Sequence, residues 1–141
     1  MSMRYILLIL TLLSCPALQA APRCFNPATT AESNACWNDE VGLSQHRLND
    51  YLAAARERAI TELNIPAEAF DNAQTAWTSY RELQCDNVRR QWGIATVGQA
   101  KAASCLVELN DQRSHDLWKH YLTYIDRTPA IRPEPELRSA K

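Results

Sequence analysis

Glycine is scarce in this chain: Gly42, Gly93 and Gly98 are the only three in 141 residues. No stretch alternates apolar and polar residues over the length of a strand, so the usual signals of a β-fold are missing. There is no CxxC pair and no CxxCH, which excludes haem attachment and leaves the common zinc spacings unmet. The histidines do not repair this. His115 and His120 stand five apart, off a shared helix face, and His46 is isolated. No metal and no cofactor is expected. No Ser-His-Asp or Cys-His arrangement is legible, and choosing two carboxylates from a charged helical surface as an acid–nucleophile pair would be arbitrary. The chain does not read as an enzyme.

Excess charge of one sign is also missing. Fifteen Lys and Arg face sixteen Asp and Glu, a net charge of −1. That excludes a generic nucleic-acid binder. Long apolar runs are missing beyond the N-terminus, where Tyr5 to Leu13 is broken only by Thr11. This run is too short to span a bilayer. With Arg4 before it, Pro16 after it and small residues at Ala20 and Ala21, it reads as a signal peptide over residues 1–20. A lipoprotein leader is the rival reading, since Leu12-Leu13-Ser14-Cys15 resembles a lipobox; only lipidation at Cys15 would tie the chain to a membrane. Cleavage after Ala20 removes Arg4 and no acid, leaving 14 basic residues against 16 acidic ones and a net charge of −2.

What remains is helical. Thr29 or Thr30 offers an N-cap with Glu32 in the first turn. Trp37, Val41, Ser44, Leu48, Tyr51, Ala55 and Ala59 then recur at helical spacing. Gly42 is a candidate kink, and Asn64-Ile65-Pro66 ends this helix, with Pro66 suited to open the next. Phe70, Ala73, Trp77, Tyr80, Gln84 and Val88 form the expected stripe of the second helix. Gln91 to Gln99 reads as a loop. A third helix, from about Gly98 to Tyr124, carries Ala102, Leu106, Leu109, Arg113, Leu117 and His120 on one side. From Thr128 the prolines 129, 133 and 135 among charges predict a mobile tail over residues 127–141. Residues 21–126 are thus expected to form an all-α, antiparallel three-helix bundle.

Cys24, Cys36, Cys85 and Cys105 make an even set in an exported chain, so two disulfides are expected. Cys24 and Cys36 lie close together at the start of the first helix. Cys85 and Cys105 flank the loop between the second and third helices, which an antiparallel hairpin brings together. The expected pairs are Cys24–Cys36 and Cys85–Cys105.

Several blocks resemble a known pattern. They are Glu32-Ser33-Asn34-Ala35-Cys36; Leu48-Asn49; Ala73-Gln74-x-x-Trp77-x-x-Tyr80-Arg81 ending at Cys85; and Cys105-Leu106-x-x-Leu109 followed by Arg113 and Leu117. In this order, with all four cysteines, the chain resembles the LprI-type lysozyme-inhibitor domain family, small exported bacterial proteins, over about Cys24 to Leu122. It departs in three places. Gln45 stands where the family usually has Asp. Tyr51 comes one position before the family's aromatic. Trp92-Gly93-Ile94-Ala95 replaces a frequent Gly-Gly-Ser.

The resemblance implies a periplasmic binding protein that blocks a lysozyme-type muramidase. The alternative is a non-inhibitory envelope adaptor, an immunity-like partner or a stress module. Trp77 and Tyr80 are expected in the core. Arg81 and Arg113 are expected to be structural, paired with Glu32 or another acid of the first helix, with Asn34 as a further acceptor. The loop residues Trp92, Gly93 and Ile94 are the expected partner contact.

Overall fold

The computed structural model describes Cys24 and residues 26–136. The expected signal peptide, with Cys15, and residues 137–141 lie outside the described residues. Helix α1 spans Thr30–Thr61, α2 Ala67–Arg90 and α3 Val97–Leu117, and α3 continues into a π-helical segment, Trp118–Leu122. There is no strand among the described residues. The three helices form the expected all-α bundle, and the disulfides are Cys24–Cys36 and Cys85–Cys105, with Cα–Cα separations of 5.7 and 5.6 Å. No described helix is long and apolar enough to cross a membrane.

Helix α1 starts where its capping chemistry places it. The Thr29 hydroxyl accepts from the Glu32 backbone N–H at 3.1 Å, and the Glu32 carboxylate accepts from the Ala28 N–H at 3.0 Å. Two otherwise unpaired donors are satisfied reciprocally, as in a capping box. The helix runs unbroken through Gly42. It ends at Thr61; beyond it Asn64 takes a left-handed φ of 55°, while the Ile65 N–H reaches back to the Ala59 carbonyl at 2.9 Å. Pro66 is the N-cap of α2 rather than its first residue.

Helix α3 packs chiefly against α1, whereas α2 rests on α3 and touches α1 little. Small side chains are buried along both helices, Ser44, Ala55 and Ala59 on α1 and Ala100, Ala103 and Ser114 on α3. Small residues let two helix axes approach. The apolar core gathers at the α1–α2 turn end: Leu48, Tyr51, Phe70, Leu117 and Leu122 close around Ala55 and Ala59, and Phe70 meets Tyr121 edge-to-face at 5.3 Å.

Arg58 secures that end. Its Nη1 donates to the carbonyls of Tyr121 and Thr123 at 2.7 and 2.8 Å, its Nε pairs with Glu62 at 3.0 Å, and its guanidinium lies 4.0 Å from the Tyr124 ring centroid. A buried cation thereby caps the carbonyl end of the π-segment, where the helix dipole favours positive charge.

The described part of the expected tail, up to residue 136, is hydrogen-bonded to the helices. The Ile131 N–H donates to Leu122 O at 2.9 Å, Trp118 Nε1 to Arg132 O at 3.0 Å and the Tyr51 hydroxyl to Pro133 O at 2.7 Å. His115 Nε2 lies 3.2 Å from Glu134 Oε1, and Pro135 is buried. The physical reason is donor satisfaction. Tyr51 and Trp118 carry polar tips at the edge of the core, and the extended strap supplies backbone carbonyls to them.

Candidate functional site

Two places collect the residues that the sequence points to. One is the end of the bundle where α2 turns into α3. The Cys85–Cys105 disulfide brackets this turn, and Asn34 Nδ2 donates to Thr96 O at 3.3 Å, tying it to α1. Within the turn the N–H groups of Trp92, Gly93 and Ala95 donate to Arg89, Arg90 and Trp92 carbonyls, each at 3.1 Å. Gly93 takes φ 55°, a conformation that glycine enters at little cost. Gly98 is needed for close approach: a Cβ there would lie 3.1 Å from Trp92 Cβ and 3.2 Å from Arg89 O. The backbone is therefore held, while Ile94 is fully exposed and Trp92 is 43% exposed. Lys101 Nζ sits 5.5 Å from the Trp92 ring. Asp86 receives both Arg89 and Arg90, at 2.8 and 2.6 Å, and the hydrogen bonds from Arg90 and Arg89 hold its carboxyl below the usual aspartate range.

The second place is a polar layer across the middle of the bundle. Ser44 donates to Val41 O at 3.0 Å and accepts from Asn110 Nδ2 at 3.0 Å. Arg81 Nη1 donates to Gln45 Oε1 and to Asn110 Oδ1, both at 2.7 Å. Arg47 grips the buried Asp111, with Nε at 3.2 Å. Arg113 Nε donates to Gln74 Oε1 at 3.1 Å. The Arg81 and Arg113 guanidiniums lie 5.3 and 5.6 Å from the Trp77 ring centroid, within cation–π range.

The family model of the lysozyme inhibitor LprI matches residues 24–117. The chain belongs to the LprI family. No curated protein and no solved structure gives a match. All four disulfide cysteines of this LprI domain, the capped start of α1 and the whole Trp77 neighbourhood fall inside the matched span. The π-segment and the strap lie beyond it.

Three expectations about site residues are corrected. Glu32 does not pair with Arg81 or Arg113, and Asn34 does not accept from them. Glu32 caps α1, and Gln45, the actual partner of Arg81, lies 13 residues further on, about 20 Å along the helix. Tyr80 is not in the core but 54% exposed. The inner face of α2 runs through Phe70, Gln74, Trp77, Arg81, Cys85 and Val88, so Ala73, Tyr80 and Gln84 face outward. There Tyr80 and Gln84 join Lys101, Ser104 and Glu108 around an open groove of about 300 Å³ between α2 and α3.

Sequence reasoning missed Arg58, Arg47 and Asp111. Asp111 and Arg58 are charged residues at core positions of their helices, and that mismatch was the available signal. Among the described residues, no group of three or more His, Cys, Asp or Glu could hold a metal ion.

Proposed function

We propose that this protein is a periplasmic, non-enzymatic inhibitor that blocks a lysozyme-type muramidase with the Gln91–Thr96 turn. One observation carries the reading: Ile94, a fully exposed apolar side chain, sits at the tip of a turn whose backbone is fixed by a disulfide and by Asn34. Membership of a family described as lysozyme inhibitors supports it. A fixed backbone lowers the ordering cost of binding, so an exposed apolar tip on it favours docking into a cleft. Trp92 broadens the contact, and Lys101 places a cation near the paired carboxylates that muramidase clefts contain. The export signal read in residues 1–20 supports a target met in the envelope.

The test is a cell-wall lysis assay with the purified mature chain at micromolar excess over lysozymes of several types. Lysis slows for at least one type. Ile94→Asp abolishes the inhibition with unchanged circular dichroism. Unchanged lysis for every type overturns the reading. In that case, one stoichiometric partner other than lysozyme, captured from periplasm, favours an adaptor; the departure of the turn from the family's Gly-Gly-Ser is the observation behind that second reading.

A further inference from the structure

The open groove between α2 and α3 lies outside the Gln91–Thr96 turn. Helix α2 lines it with Tyr80, Gln84 and Val88, and α3 with Lys101, Ser104 and Glu108. The first set steps by four residues and the second by three and four, so each set follows one helix face. The helices run antiparallel out of one turn. Val88 and Lys101 therefore mark the end nearest the turn, and Tyr80 and Glu108 the far end. The Cys85–Cys105 disulfide ties the two walls together midway. The groove holds about 300 Å³, the small end of the range for ligand pockets.

Its polar groups are unspent. The hydroxyls of Thr75 and Ser114 are turned back onto carbonyls of their own helices. By contrast, no described residue hydrogen-bonds the Tyr80 hydroxyl, the Gln84 amide or the Ser104 hydroxyl. All three donate and accept, which suits the alternating N–H and C=O groups of a peptide main chain. Gln112 reaches one oxygen of Glu108, at 3.3 Å, and leaves the other. Lys101 forms no ion pair among the described residues; its ammonium has the Trp92 ring, 5.5 Å away.

Charge sets a direction in this groove. A cation stands at the turn end and an anion at the far end. Lys101 and Glu108 are seven positions apart, about 10 Å along the helix. Three extended residues span about 10 Å as well. A free-ended peptide of that length sets its carboxylate at Lys101 and its ammonium at Glu108, with its main chain passing Gln84 and Ser104. Reversed, both of its ends meet like charge. A neutral saccharide gains nothing from either charge.

We propose that the α2–α3 groove binds a short free-ended peptide of about three small residues, its carboxylate toward the turn. The site stands whether or not the turn inhibits a muramidase.

The test titrates the tripeptide Gly-Ala-Gly into the ¹⁵N-labelled mature chain and follows it by NMR. The Gln84 side-chain amide and the backbone N–H groups of Lys101 to Glu108 shift and saturate. Acetylating the amino end or amidating the carboxyl end weakens binding by about two- to fivefold each, as for exposed ion pairs. Glu108→Gln erases the difference between the free and the acetylated tripeptide and keeps that between the free and the amidated one. Lys101→Met does the reverse. Both residues are exposed, so both variants fold. The absence of a saturable shift, equal binding of the free and the doubly blocked tripeptide, or an unchanged preference in Glu108→Gln overturns the proposal. So does saturation by a disaccharide of N-acetylglucosamine without saturation by the tripeptide, which identifies a saccharide groove. Glu108 is no part of the turn, so this titration and the lysis assay fail independently.

Discussion

At the end where α1 turns into α2, Phe70, Leu117 and Leu122 close over Ala55 and Ala59, and Arg58 caps the carbonyls behind them. At the opposite end, where α2 turns into α3, Trp92 and Ile94 face solvent, and the backbone is held by Cys24–Cys36, Cys85–Cys105 and the Asn34–Thr96 hydrogen bond. The first end is stabilised by burial, which consumes its apolar side chains. The second is held covalently, which leaves large side chains free to meet a partner. A domain of about this size has little core to spare. Stapling one end lets it keep Trp92 and Ile94 exposed without losing its shape.

This contrast is sharpest where each end is broken in turn. Leu117→Ala opens a cavity in the apolar end and lowers stability by about 3–4 kcal/mol in urea denaturation, since Leu117 is fully buried. The loss is global, because α1, α2 and the π-segment all pack there. Replacing both Cys85 and Cys105 by serine costs roughly 3 kcal/mol. Its local signature differs: amide exchange accelerates across residues 86–104 before global unfolding, and the inhibition proposed for the turn should fall more than helix content does. Equal exchange at both ends in this variant would break the comparison.

Tyr51→Phe removes one hydrogen bond to the strap and costs about 1 kcal/mol. Burial raises the Tyr51 pKa above its ordinary value. The folded state thus favours the neutral phenol, and this share of stability is present below the unfolded pKa. It is lost as pH rises through the interval between the unfolded and folded values, above about 10. A melting curve against pH should fall there in the wild type and fall less in Tyr51→Phe.

The smallest effect is at acid pH. Hydrogen bonds from Arg56 lower the Asp71 pKa, and those from Arg90 and Arg89 lower that of Asp86. A depressed carboxyl contributes stability above its unfolded pKa and loses it as pH falls through the folded one. Both pairs are exposed, so Asp71→Asn and Asp86→Asn should each move the acid midpoint only slightly, and less in high salt.

The two ends were not equally legible. The start of α1 could be read because Thr29 and Glu32 make a local signal, and the disulfide pairing because a helical hairpin brings Cys85 and Cys105 together. The inner face of α2 was misread by one position. Gln74 and Arg81 point inward, and a search for apolar spacing rotates the stripe toward Tyr80, which is exposed. An arginine beside a core stripe points to an acid, whereas the partner of Arg81, Gln45, is neutral. The strap escaped because prolines among charges look solvated. What orders it are donors far away in sequence, Tyr51 and Trp118. Long-range polar pairing has no local pattern to show.

The four cysteines that follow the expected signal peptide can pair three ways, and this chain joins the first of them to the second and the third to the fourth. For a chain delivered N-terminus first into an oxidising compartment, each even-numbered cysteine arrives next after its own partner. The correct bonds are then also the earliest ones available, with no wrong pair to be reshuffled. Maturation of this domain should need an oxidant but no disulfide isomerase.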